Sequence, residues 1–156
     1  VLDAGGMTAM SAGLVSIGYE GRTALELIAT LSQLGVSVLV DVRLTPLSRK
    51  PGLSKTKLGL AAAEAGIRYV HLPALGNPRE NREPFRTGEV EAGCIRFTTL
   101  LARPDSVAAM DQLEALARDE LTAVLCFERE HQLCHRQVIV DAVHDRLGRG
   151  ATVIHA

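Results

Sequence analysis

Residues 122–148 read TAVLCFEREHQLCHRQVIVDAVHDRLG, and the fold turns on them. The opening TAVLCF is a short apolar run with the length of a buried strand. Residues 134–147 then read as a helix, stopped at Gly148 or Gly150. A strand that feeds a helix across a short loop is half of a strand–helix–strand unit. The loop, CFEREHQLCHR, concentrates two cysteines, two acids, two histidines and two arginines.

The same alternation extends outward. LVSIGY, 14–19, is a first strand, and Thr23 with Glu26 forms a capping box for a helix carrying Leu27, Ile28, Leu31 and Leu34 up to Gly35. VSVLVDV, 36–42, has the β-branched density of a strand covered on both faces. Ser54 caps a helix over 55–65, and IRYVHL, 67–72, is a third strand. Val90, Cys94, Phe97 and Leu101 share a helical face, with Cys94 read as core. Asp105 or Ser106 caps a further helix carrying Val107, Met110, Leu113 and Leu116, and ATVIH, 151–155, is a fifth strand. The pattern predicts one α/β domain over 7–156, with residues 1–6 an upstream extension or appended leader. Its architecture is three-layered, with a mostly parallel five-stranded sheet of Rossmann-like kind. The favoured strand order is 3-2-1-4-5, with strands 1 and 4 adjacent at the switch point.

Composition narrows the function classes. The chain is 47% hydrophobic and 22% charged, with net charge -1, so no overall field recruits nucleic acid or membrane. No apolar run reaches the ~18 residues of a spanning helix. No Lys or Arg precedes Arg22, so the basic start of a signal peptide is missing and a cytoplasmic location is expected. Three cysteines do not make a disulfide framework.

In open α/β sheets, ligands bind outside the carboxyl ends of the strands. Those ends carry Tyr19 and Glu20, Asp41 and Arg43, His71, and Cys126 with Glu128. The last loop adds Cys134, His135 and Arg136 at a helix start. There the helix dipole and the neighbouring cations favour a thiolate, so Cys134 is the candidate nucleophile or redox thiol. Cys126 alone reads as a small core residue, although one turn separates it from Cys134 and a reversible disulfide is open to the pair. Asp41 and Arg43 share a strand face and are either a loop-holding ion pair or part of the site.

Residues 43–57 hold five basic residues and no acid, forming a basic lip that includes Arg49, Lys50, Lys55 and Lys57. The polar stretch 73–89 reads as a lid without regular structure, its Arg79, Arg82 and Arg86 balanced by Glu80, Glu83 and Glu89. His144 and His155 show no partner. A metal held by Cys126, Cys134, His135 and Glu128 is disfavoured, because the spacing matches no common zinc pair and adjacent residues rarely reach one ion. No metal and no cofactor are therefore assigned. Cys126 is followed six positions on by Gln132, and Cys134 by Val140, so the cysteine–arginine phosphate loop is absent. GxGxxG and GxxxxGK[ST] are absent as well.

Five segments occur in one order: SIGYEG at 16–21, LVDVRxxPxSR at 39–49, GIxYxHLPxLG at 66–76, CxExxxxxCHR at 126–136, and a closing VxH at 153–155. Together they resemble the domain-of-unknown-function family 488, over about residues 14–156. The resemblance implies a compact cytoplasmic α/β domain of prokaryotic type with no assigned reaction. It maps the family's paired cysteines onto Cys126 and Cys134, and its aspartate and arginines onto Asp41, Arg43, Arg49 and Arg136. Family members often carry Gly-His where this chain has Gly18-Tyr19, so no role of that histidine transfers.

Two functions are consistent with these residues. One is an enzyme for a small or nucleotide-like anion, held by Arg43, Arg49 and Arg136, with Tyr19, Glu20 and His71 alongside. Its chemistry falls to Cys134 and Cys126, with Glu128 or Asp41 in proton transfer. The other is a non-catalytic anion- or nucleic-acid-binding module that uses the basic lip. The scarcity of aromatics, 3% of residues, counts against single-strand stacking.

Overall fold

A computed structural model describes residues 12–156. The expected boundary between residues 6 and 7 lies outside the described residues. Five strands form one parallel sheet: β1 (Gly13–Gly18), β2 (Val38–Asp41), β3 (Arg68–His71), β4 (Leu121–Cys126) and β5 (Val153–His155). Among the described residues six helices connect them: α1 (Ala24–Leu34), α2 (Lys55–Glu64), the single-turn α3 (Glu83–Arg86), α4 (Val90–Leu100), α5 (Pro104–Asp119) and α6 (Arg136–Leu147).

Local signals account for most boundaries. The Thr23 hydroxyl accepts from the Glu26 amide while the Glu26 carboxylate accepts from the Thr23 amide, which closes the capping box on α1. Gly35 ends that helix at φ 79°, a left-handed conformation that favours glycine. Helix α5 begins at Pro104, with Arg103 in the cap position in place of the expected Asp105 or Ser106. Proline is suited to a first helical position because its missing N–H has no partner there anyway.

The sheet is covered on both faces. Leu27 and Leu31 of α1 and Leu58 and Ala62 of α2 pack with Val15, Ile17, Leu39 and Leu125. Phe97 of α4, Met110 and Leu113 of α5, and Ile139 and Val143 of α6 pack with Leu14, Val40 and Val124 on the other face. This is the expected three-layer parallel architecture.

The strand order is β3-β2-β4-β1-β5, which corrects the favoured order by exchanging strands 1 and 4. β4 inserts between β2 and β1, and β1 is adjacent to β4 as expected. Both are six-residue strands buried along their whole length. Parallel strands lack the tight turn that would tie neighbours together in sequence, so two such runs are interchangeable until their helices pack. Among the described residues no helix is long and apolar enough to cross a membrane.

Candidate functional site

A cavity of about 510 Å³ opens beyond the carboxyl ends of β1, β2 and β4. Tyr19 and Glu20 follow β1, Arg43, Leu44, Thr45 and Leu47 follow β2, and Cys126, Phe127 and Glu128 end β4. Leu133 and His135 come from the loop before α6. The lid contributes Asn77, Arg82, Phe85 and Arg86. The size suits a small-molecule site.

The strand ends approach each other because Gly18 lacks a side chain. A Cβ there would sit 1.8 Å from the Glu128 carbonyl oxygen. The amides of Tyr19 and Glu20 then donate to the carbonyls of Cys126 and Phe127, at 3.2 and 2.9 Å, extending the ladder beyond the strands. Tyr19 meets Phe127 edge-to-face at 5.3 Å between centroids.

Asp41 and Arg43 form a buried two-armed ion pair. Arg43 Nε donates to Asp41 Oδ1 at 2.9 Å and its Nη2 to Oδ2 at 2.6 Å. Nη1 donates to the Leu53 carbonyl at 2.8 Å, and the Tyr69 hydroxyl donates to Asp41. Burial opposes the charge on Arg43, but the hydrogen bonds and charge of Asp41 outweigh it and raise its pKa. Burial, then Asp41, raises the pKa of Tyr69. Asp41 is enclosed and does not line the cavity, whereas Arg43 does, with its guanidinium 5.2 Å from the Tyr19 ring centroid. His71 Nε2 meets the Arg43 carbonyl at 2.8 Å and supports the loop from outside the cavity.

The cysteines divide. Cys126 is 7% exposed and lines the cavity, while Cys134 is 0% exposed and lies behind it. The expected lowering of the Cys134 pKa is reversed: burial, then the neighbouring Cys126, pushes the thiol well above its usual range. The helix amide effect is present, since the Arg136 amide donates to Cys134 Sγ at 3.5 Å, but desolvation is larger. His135 joins the pair, its Nδ1 3.8 Å from Cys126 Sγ and 3.6 Å from Cys134 Sγ. Cys94 is half-buried and not fully in the core.

Arg136 and Arg49 lie elsewhere. Arg136 is completely buried on the β1–β5 side, where Nε donates to Ser16 Oγ at 2.7 Å and the other nitrogens to the carbonyls of Glu128 and Arg129. Ser16 Oγ also meets His131 Nδ1 at 2.6 Å. His155, read as partnerless, stacks on His131 at 4.2 Å. Arg49 lines a separate groove with Lys50, Lys55 and Lys57.

The lid corrects the expectation of irregular structure. It holds a 3-10 turn at Arg79–Asn81 and then α3. Asn81 Nδ2 donates to Asn77 Oδ1 at 2.9 Å and to the Gly93 carbonyl at 3.1 Å, tying the lid to α4. Arg82 and Arg86 line the cavity, while Glu80, Glu83 and Glu89 do not. A segment balanced in sequence therefore presents cations to the site. His135, weighed in sequence only as a neighbouring cation and a disfavoured metal ligand, lines the cavity. Phe127 and Phe85 also line it, and no signal in the sequence marked them.

The sequence profile of the domain of unknown function DUF488 matches residues 23–143. Nothing among curated proteins or solved structures matches the chain at a significant level. The chain belongs to the DUF488 family, whose description assigns no reaction.

Proposed function

We propose that this DUF488 family member is an enzyme acting on a small organic anion bound in the cavity beyond β1, β2 and β4. The carrying observation is that Cys126 and His135, with side-chain atoms 3.8 Å apart, both line that cavity. A sulfur and an imidazole at the floor of a small-molecule pocket supply a reactive centre.

The remaining wall fits an anion with an apolar or planar body. Arg82 and Arg86 form no salt bridge among the described residues, in contrast to Arg43, whose charge is committed to Asp41. They are the anion-holding groups in this reading, and Arg43 positions the β2 loop. Four large apolar residues exposed to solvent, Leu44, Leu47, Phe127 and Leu133, line this cavity and supply apolar contact. Glu128 is half-buried at the same wall and is the candidate for proton transfer.

Thermal unfolding with a panel of nucleotides, sugar phosphates and small carboxylates tests this. At least one class should raise Tm and protect Cys126 from alkylation, and Arg82→Ala with Arg86→Ala should remove both effects. A panel without any shift, or a shift that survives the double variant, overturns the reading.

The second reading, a nucleic-acid-binding module, rests on the groove lined by Arg49, Lys50, Lys55 and Lys57 with no acid among its lining residues. Binding of mixed-sequence DNA or RNA that weakens steeply with salt would favour it.

A further inference from the structure

The three groups at the floor of the cavity converge more closely than a thiol–imidazole pair requires. Cys126 Sγ, Cys134 Sγ and a ring nitrogen of His135 lie within 4.8 Å of one another. We propose that Cys126, Cys134 and His135 hold a thiophilic divalent metal ion, zinc in chemical class, with its remaining coordination position open to the cavity.

Four observations carry this. The first is distance. A tetrahedral ion ~2.3 Å from sulfur and ~2.0–2.1 Å from nitrogen sets sulfur–nitrogen separations of roughly 3.6 Å. The two separations from His135 Nδ1 are 3.6 and 3.8 Å.

The second is the orientation of the imidazole. His135 Nε2 lies 3.3 Å from the Val42 carbonyl oxygen. A carbonyl only accepts, so Nε2 carries the hydrogen and Nδ1 of the neutral ring presents its lone pair to the two sulfurs. A backbone carbonyl that fixes the far nitrogen is the usual outer partner of a metal-bound histidine. Phe97 packs edge-on against the same ring at 4.9 Å and holds its plane.

The third is the backbone between the adjacent ligands. Adjacency weighed against the metal because neighbouring side chains ordinarily diverge. Here Cys134 is extended, at φ -129° and ψ 148°, and His135 is helical, at φ -61° and ψ -20°. The bend at the entrance to α6 turns both side chains to one point.

The fourth is charge and access. Two thiolates offset the charge of a divalent ion in a buried place where no carboxylate joins the cluster. The Arg136 amide that donates to Cys134 Sγ would offset part of the negative charge of a metal-bound sulfur. Cys126 and His135 face the cavity while Cys134 closes the back, which leaves the open position toward any ligand there. Three protein ligands and one open position is the pattern of a catalytic site more than of a closed structural one. The proposal rests on the small-anion reading of the cavity only for what fills that position.

The test uses the full chain, purified under reducing conditions, freed of metal and titrated with Co²⁺ and then Zn²⁺ near neutral pH. We expect saturation at about one equivalent, with thiolate-to-cobalt charge transfer and tetrahedral visible bands that zinc displaces. Cys126→Ser and His135→Ala should abolish the charge-transfer signal or weaken binding by at least about tenfold, whereas Cys94→Ser should not. Circular dichroism of each variant checks folding, and the wild-type titration stands if a variant fails to fold. No saturable cobalt signal on the reduced wild-type chain overturns the proposal, as does a signal unchanged in folded Cys126→Ser and His135→Ala chains. A bound metal with no anion effect on Tm overturns the enzyme reading alone, and an anion effect without metal binding overturns the metal alone.

Discussion

Asp41 and Arg43 stand two residues apart on one face of the β2 end and hold each other through paired hydrogen bonds of 2.6 and 2.9 Å. Arg43 is 6% exposed and Asp41 0%. Asp41 is shut off from water, and Arg43 touches it only at the cavity wall. Asp41→Ala should therefore cost about 3–5 kcal/mol, the usual penalty for stranding one partner of a buried pair. Urea unfolding measures it. A loss under about 1 kcal/mol would show that Arg43 finds water or another partner, against the buried geometry.

His131 gives a pH signature. Burial, then His155 and Arg136, lowers its pKa from 6.5 to about 4. Ser16 Oγ, which accepts from Arg136 Nε at 2.7 Å, meets His131 Nδ1 at 2.6 Å and holds the ring beside that guanidinium. The unfolded chain then binds more protons than the fold between those values, and stability rises with pH across the interval. The contribution is complete above the unfolded pKa and is lost as pH falls toward the folded one. His131→Gln should flatten the rise of the urea midpoint over that window relative to wild type. An unchanged slope would mean that another group carries it.

Two glycines should respond with opposite sign. Gly18→Ala forces a Cβ to within 1.8 Å of the Glu128 carbonyl oxygen, and backbone must move. A loss of about 1–3 kcal/mol or more is expected. Gly59 lies inside α2, where a Cβ meets only the Tyr69 ring at an ordinary 3.5 Å. Gly59→Ala should gain about 0.5–1 kcal/mol from helix propensity. Thermal melts of both variants decide the point, and equal shifts would contradict it.

Alkylation should rank the thiols. Cys134 is buried with its pKa well raised, and Cys94 is half-buried with its pKa raised by burial. Iodoacetamide on the native, reduced, metal-free chain should modify Cys94 before Cys134. Mass spectrometry over time measures the order. Faster reaction at Cys134 would restore the thiolate role that its place before α6 suggested.

The strands and helices were legible because each leaves a local imprint. VSVLVDV, 36–42, carries its β-branched run, and Thr23 with Glu26 writes the start of α1 three residues apart. The edge that carries the cavity followed from the same alternation, since parallel strands place their carboxyl ends along one edge. Tyr19, Glu20, Arg43, Cys126 and Glu128 meet there from three separate strands.

What the sequence by itself determined was thus the class of fold, the edge that holds the cavity and the family motifs around it. The tertiary structure alone decided which strand separates β1 from β2, because buried parallel strands look alike until their helices pack. It alone decided that Arg136 and Arg49 turn away from the cavity while Arg82 and Arg86 turn into it, because charge along a segment does not say which side faces inward. It also decided the state of Cys134. A helix start favours a thiolate from a few atoms nearby, but desolvation depends on everything packed around the sulfur, and here the packing prevails. The meeting of His135 with both cysteines belongs to the same category, since it rests on one bend in the chain and on a carbonyl of Val42, 93 residues earlier.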